Sequence, residues 1–307
     1  MKERIKDARP MMDLMAKKIF SNPEITAQFI SDILDLPVHH VKILDGTQIH
    51  DHQFEDIKTY VTSIDVLAEL NDGTQVIIEI QVAYQFDFIK RLWLYLCNQV
   101  TKNADEHKKD GVETHKLAEE LLPVYSIAIM QKRYFNDEEM IHVYCHKERK
   151  RNDELKVHFK GFEEEQNLSL MGFLELEKYN EDKIEEYKKE RWIEFFGNQP
   201  YTQTPEKILE QADRIVSRID WTKEEREMYD ERTRYIQAYL GHLASVEKEK
   251  KDAISQALTE GKAEGIEHGK KMMIISLIKD GLLSKEEGAK RLSISVIELD
   301  EYMSAEE

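Results

Sequence analysis

The strongest chemical signal in the chain is a set of three residues, Asp65, Glu79 and Gln81, set in two apolar, alternating segments. Tyr60 to Leu70 and Thr74 to Val82 are separated by Asn71-Asp72-Gly73, which predicts a β-hairpin. Asn-Asp-Gly suits a three-residue loop closed by Gly73 in the left-handed conformation, with Leu70 opposite Thr74. Counting outward places Asp65 opposite Glu79 and Ser63 opposite Gln81, on one face. A two-residue loop would instead set Asp65 opposite Ile80 and turn Glu79 and Gln81 to the far face. Two carboxylates pressed together among Val76, Ile77, Ile78, Ile80 and Val82 repel and are poorly hydrated, so they require a proton, a cation partner or a metal. Their hard oxygens suit Mg²⁺ or Mn²⁺, and an ion held there would acidify a water and offset charge on a phosphate. Gln81 is then placed to orient the water or a phosphate oxygen. The competing reading is that both acids are ordinary strand residues on a solvated face.

Several other elements must carry this hairpin. From Asp13 to Leu36 apolar residues recur at helical spacing, interrupted at Ser21-Asn22-Pro23, which predicts two packed helices with Ser21 or Asn22 as a cap and Pro23 in the first turn. Val38 to Leu44 can start a strand, Phe88 to Lys102 reads as a helix, and Pro123 to Met130 as a buried strand. Further strands are expected around Ile141 to Tyr144 and Leu155 to Phe159, and amphipathic helices over Lys178 to Phe196 and Glu206 to Lys250. In the tail, Gly261, Gly265 and Gly269 fall on one helix face, as at a hinge or a close helix contact, each weakening an isolated helix by about 1 kcal/mol relative to Ala. Three short helices follow, from Met272 to Ile278, Ser284 to Leu292 and Ser295 to Tyr302. Ser284 with Glu287, and Ser295 with Glu298, have capping-box spacing.

The ordered set of motifs resembles the recombination-promoting nuclease family, also described as PD-(D/E)XK family transposases. The resemblance is carried by Ser63-Ile64-Asp65-Val66-Leu67 followed by Ile78-Glu79-Ile80-Gln81. It extends to Asp13, Lys17 and Phe20 in the first helix and to Asn22-Pro23-Glu24 after it. Arg91, Tyr95 and Gln99 in the helix after the hairpin match as well, as do Pro123-Val124 and the Lys-Asp-Gly-Leu-Leu-Ser-Lys-Glu-Glu run of the tail. It covers most of the chain. It implies a restriction-endonuclease-like α/β core, a mixed central sheet flanked by helices, over residues 1–245, with a helical tail over 246–307. It also implies a metal held by Asp65, Glu79 and the backbone carbonyl of Ile80. Gln81 stands where the wider superfamily usually has Lys, and a neutral amide supplies neither positive charge nor a base. Lys17, Lys90 or Arg91 are the cations available to replace it. Asp13, Lys17, Glu24, Arg91, Tyr95 and Gln99 are candidates for auxiliary metal or DNA contacts. Each also has a structural reading: Glu24 complements a helix dipole, and Arg91, Tyr95 and Gln99 lie at four-residue steps on one helix face.

Composition bounds the partners. The 307 residues carry a formal net charge of −17 and are 34% charged and 41% hydrophobic, enough apolar content for a sizeable core. Such acidity opposes passive binding to nucleic acid through overall charge, so DNA contact must be local or neutralised by metal. Cys97 and Cys145 have no partner at disulfide or zinc spacing, and a reducing cytoplasm is expected, with no membrane span. His50-Asp51-His52 offers two imidazoles without an identifiable third ligand, and exposed histidines are the simpler account. The last helix, Val296-Ile297-Glu298-Leu299-Asp300-Glu301, is too acidic to lie along phosphates, so the tail points to homo-oligomerisation. The resulting expectation is a metal-dependent DNA endonuclease of the recombination or transposase-associated type. The alternative is a catalytically weak DNA-binding or assembly protein that keeps the fold, and a single-stranded or RNA substrate also stays open.

Overall fold

The computed structural model describes residues 9–44, 47–50, 60–109, 111–217 and 221–304. Two short helices open it, α1 (Asp13–Phe20) and α2 (Pro23–Leu34). The chain turns between them because Asn22 accepts the Glu24 and Ile25 N–H groups at 3.0 and 3.2 Å, with Pro23 in the first turn. Strands β1 (Val41–Leu44), β2 (Thr47–His50), β3 (Tyr60–Ser63), β4 (Val66–Leu70) and β5 (Gln75–Gln81) follow, then helix α3 (Phe88–Lys109). Next come β6 (Val124–Met130), β7 (Ile141–Cys145), the short β8 (Lys156–Val157) and β9 (Gln166–Asn167), and β10 (Leu170–Glu175). Helices α4 (Tyr187–Phe196), α5 (Lys207–Val216), α6 (Lys223–Lys279), α7 (Lys285–Leu292) and α8 (Val296–Ser304) complete the chain.

Six strands form one mixed sheet in the order β1-β4-β5-β6-β10-β7. β5, β6 and β10 run parallel, and β1, β4 and β7 pair antiparallel at the flanks. A parallel β5–β6 pair needs a crossover, which α3 supplies. Its Phe88, Leu92, Tyr95 and Leu96 pack on one face of the sheet against Leu67, Ile77, Val124, Ala128, Met130 and Phe173. On the other face α2 comes close at Gly172 of β10, where a Cβ would sit 3.1 Å from Ile33 Cγ2. An aromatic group of Phe20, Phe29, Trp192 and Phe196 joins α1, α2 and α4. Within it the buried Asp32 accepts from Arg191 and from the Trp192 indole at 2.8 Å. The expected restriction-endonuclease-like core, a mixed sheet between helices, is thus present.

The chain forms two compact units, Met1–Arg226 and Glu227–Glu307. The division falls inside α6, a single helix of 57 residues that also contains the position after residue 245 where the tail was expected to begin. Gly261, Gly265 and Gly269 do not break this helix, and a Cβ at any of them would meet open space. Met272 to Ile278 is therefore the end of α6 and not a separate short helix. In the second unit Ile275, Ala289 and Leu299 form a small core that joins α6, α7 and α8. Ser284 accepts the Glu287 N–H at 3.2 Å, and Ser295 and Glu298 cap each other reciprocally. Among the described residues no helix is long and apolar enough to cross a membrane.

Candidate active site

The turn chemistry sets the hairpin register. Gly73 has φ +88°, Asp72 accepts the Thr74 N–H at 2.9 Å, and Leu70 N–H donates to the Thr74 carbonyl at 2.8 Å. The ladder runs from Glu69 opposite Gln75 to Val66 opposite Ile78, which makes Asp65 the residue opposite Glu79. At that point side chains replace the backbone ladder. Asp65 Oδ2 accepts the Ile80 N–H at 2.8 Å, and Glu79 Oε1 accepts the Asp65 N–H at 3.1 Å. Because the Asp65 carboxylate takes this N–H, β4 ends at Val66, and Ser63 does not reach the position opposite Gln81. It belongs instead to β3, which pairs with β2 through Thr47 opposite Ser63 in a separate two-stranded sheet. The continuous strand expected from Tyr60 to Leu70 is in fact two.

Glu79 is 5% exposed, on the face of β5 that also carries Gln75, Ile77 and Gln81. Burial, and next the charge of Asp65, push its carboxyl up to about 8. The Asp65 N–H and the positive charges of Arg91 and Lys17 pull the other way, with smaller effect. The third candidate ligand, the Ile80 carbonyl, can be placed from its neighbour. Gln81 O accepts the Gln131 N–H on the β6 side at 2.8 Å. Carbonyls alternate along a strand, so that of Ile80 faces the β4 side with the Asp65 carboxylate.

Gln81 is buried and engaged at both ends of its amide. Its Oε1 accepts from Arg91 Nη2 at 3.0 Å, and its Nε2 donates to the Ala83 carbonyl. Arg91, in the first turn of α3, also donates to Gln85 Oε1. The amide thus holds a guanidinium beside Glu79 in the place where the resemblance led to doubt about positive charge.

The remaining candidates separate. Lys17 on α1 belongs with the acids through its effect on Glu79. Tyr95, 8% exposed, packs in the core under the sheet. Gln99 is 1% exposed and donates to Gln75 Oε1 at 2.8 Å, at the opposite end of β5 from the acids. Glu24 is exposed in the first turn of α2. Asp13 is the first residue of α1, and its side chain lies outside the described part of the structure. Asp51, His52 and the His50 side chain also lie outside it.

A second acidic cluster was not anticipated from the sequence. Asp137, His142 and Glu175 offer ligand atoms within 4.8 Å of one another. Lys178, however, places Nζ 2.6 Å from Glu175 Oε2 and 2.8 Å from Asp137 Oδ1, in the position a cation would take. Glu175 Oε1 further accepts the N–H groups of Tyr134 and Phe135 at 2.5 and 3.1 Å, fastening the β6–β7 connection to β10. An acid closing the apolar run Leu170-Met-Gly-Phe-Leu was the available signal.

The sequence matches the family described as PD-(D/E)XK nuclease family transposase over residues 10–240, well over half the chain. The chain belongs to this family. The match spans α1 to the early part of α6 and includes every site candidate named above. No curated protein and no solved structure matches the chain. Membership agrees with the mixed sheet, the flanking helices and the hairpin that carries the acids.

Residues Asp65, Glu79 and Ile80 fit a hard divalent cation. The donor set is all oxygen, and burial and mutual repulsion make the ionised pair costly without added positive charge.

Proposed function

We propose that the protein is a metal-dependent DNA endonuclease, with Asp65, Glu79 and the Ile80 carbonyl as ligands for Mg²⁺ or Mn²⁺. The observation that carries this reading is the opposed carboxylate pair near the end of β5, where burial and the charge of Asp65 push the Glu79 carboxyl up against the pull of Arg91 and Lys17. A bound ion would acidify an attacking water and offset charge on the scissile phosphate. Asp65 holds the end of β5 through the Ile80 N–H and so fixes the carbonyl next to it. Gln81 holds Arg91, whose guanidinium would donate to a phosphate oxygen of the substrate. Lys17 adds a second positive charge near the acids. The family's association with transposition supports a role in recombination of DNA. Nicking of supercoiled plasmid in Mg²⁺ or Mn²⁺ tests the proposal. Asp65→Asn and Glu79→Gln should each reduce it by more than the roughly 10- to 100-fold that follows loss of an outer partner of a metal site. Wild-type cutting rates in both variants would overturn it.

We also propose that copies associate through α6. Tyr235, Tyr239, Ile254, Leu258, Ile266 and Met273 are each more than half exposed on it, an apolar load that a solvated helix does not carry without a partner. Replacing Ile254 and Leu258 together by Glu in the full chain should lower the mass in sedimentation toward that of a single chain. An unchanged mass would remove this role.

A further inference from the structure

The connection between β5 and α3, residues 82–87, combines two properties that rarely occur together. Its backbone is pinned. Gln81 donates to the Ala83 carbonyl and the Tyr134 hydroxyl accepts the Gln85 N–H at 2.9 Å, while Arg91 holds the Gln85 side chain through its Oε1. Yet two aromatic side chains of this held segment point to solvent, Phe86 at 86% exposed and Tyr84 at 57%. A large apolar ring left in water on a rigid loop costs hydration free energy that folding does not recover.

The surroundings select the occupant. Lys90 Nζ stands 5.9 Å from the centre of the Phe86 ring, and Arg91 lies at the base of the same loop beside Gln81. A polyanion is thereby drawn toward the rings. The Tyr84 ring lies tilted by 30° against that of Tyr134, with centroids 4.8 Å apart, and the two form one wall of an open cavity of about 320 Å³ that Asn136 also lines. Asp137, Glu138 and Arg133 line the cavity too, with Arg133 already paired to Glu138 at 3.0 Å, so the lining offers a phosphate no unengaged cation but admits an uncharged planar group.

We propose that Phe86 and Tyr84 form a stacking platform for an unpaired nucleobase that flanks the phosphate brought to the proposed metal site at Asp65 and Glu79. This rests on the nuclease reading above and adds its substrate class: DNA that is single-stranded or locally opened next to the cut. A paired base keeps its faces covered by its neighbours, whereas an unpaired one exchanges water for the rings. The segment needs no ordering on binding, because its hydrogen bonds are already made.

The test uses the full chain, with Ca²⁺ in place of Mg²⁺, a short single-stranded DNA carrying 2-aminopurine and the corresponding perfect duplex. Wild type should quench the 2-aminopurine. Phe86→Ala should weaken single-strand binding by roughly ten-fold or more and affect the duplex much less. Phe86→Trp should bind like wild type, and Phe86→Leu, apolar but without a π-face, should not. Tight binding by Phe86→Leu would mark the patch as an apolar docking surface for a protein and overturn the proposal. Equal losses on single strand and duplex would do the same. A wild type that cuts plasmid without quenching removes this inference alone. One that quenches but never cuts, in Mg²⁺ or Mn²⁺, removes the hydrolytic reading and leaves the platform.

Discussion

Two buried glutamates lie toward the ends of two parallel apolar strands on either side of β6, Glu79 in β5 and Glu175 in β10, and their surroundings answer the same electrostatic problem in opposite ways. Glu175 is fully buried and meets the Lys178 ammonium at 2.6 Å together with two backbone N–H groups, so its charge is balanced by the chain itself. Glu79 faces a second carboxylate, and burial plus Asp65 outweigh the more distant cations. One acid serves as an internal strut. The other is left with a deficit of positive charge that a divalent ion would fill. Residue type and burial alone therefore do not distinguish an acid whose charge is met within the fold from one whose charge is not. The neighbour at hydrogen-bond distance does.

The comparison can be broken most directly by the nicking assay. Loss of activity in Asp65→Asn and Glu79→Gln, with retention in Asp137→Asn, is the expected outcome, and the reverse pattern would assign the chemistry to the wrong glutamate. The strut is tested by stability. Lys178→Met strands the buried Glu175 charge and should cost about 3–5 kcal/mol, read from the midpoint of urea unfolding at pH 7. A loss under 1 kcal/mol would show that the ion pair is not what holds the β6–β7 connection.

Metal and pH give two further handles on Glu79. The Glu79 carboxyl is raised in the folded state from the usual 4.5 to about 8, so over that window the folded protein binds more protons than the unfolded chain. Metal-free stability should therefore fall as pH rises from about 4.5 to 8, by at most about 1.4 kcal/mol per pH unit, and Glu79→Gln should flatten the slope. Metal competes with that proton, so Mg²⁺ or Mn²⁺ should bind more tightly as pH rises through the same window. At a hundred times its dissociation constant it should stabilise wild type by about 2.7 kcal/mol. A metal-induced shift in melting temperature that survives in Asp65→Asn would place the ion elsewhere.

The smallest expected effect concerns Gln81→Lys. From sequence alone this change appears harmless, because it restores the lysine of the wider superfamily. The structure puts the Arg91 guanidinium on the Gln81 oxygen, so a lysine there sets two cations against each other. Cleavage should fall by a factor of a few, and Gln81→Lys combined with Arg91→Gln should recover it. Full activity in the single variant would mean that Arg91 can leave without consequence.

Local chemistry explains which parts of this were readable in advance. The Asn71-Asp72-Gly73 turn fixes its own geometry, so the opposition of Asp65 and Glu79 followed from counting, as did the Ser295–Glu298 box and a cap at Ser21 or Asn22, of which the structure uses Asn22. The break after Ser63 was hidden because Ile64-Asp65 continues the strand alternation. Only the carboxylate bond to the Ile80 N–H, made across the hairpin, ends the strand. Arg91, Tyr95 and Gln99 share one helix face in sequence, yet that face meets a site, a core and a buried amide in succession. Lys178 and Asp137 reach Glu175 only through the fold.

Helix α3 is fastened to β5 at two points, Gln99 to Gln75 and Arg91 to Gln81. Between these points the strand advances about 20 Å and the helix only about 12 Å, so the two spacings do not match. Long, bendable side chains absorb the difference, and every one of the four anchors is a glutamine or an arginine. The apolar residues between them, Leu92, Tyr95 and Leu96, would tolerate the helix one turn along in either direction. The polar ends would not. They act as a vernier, two scales of unequal pitch that coincide at a single setting, and at that setting alone the guanidinium stands next to the acids.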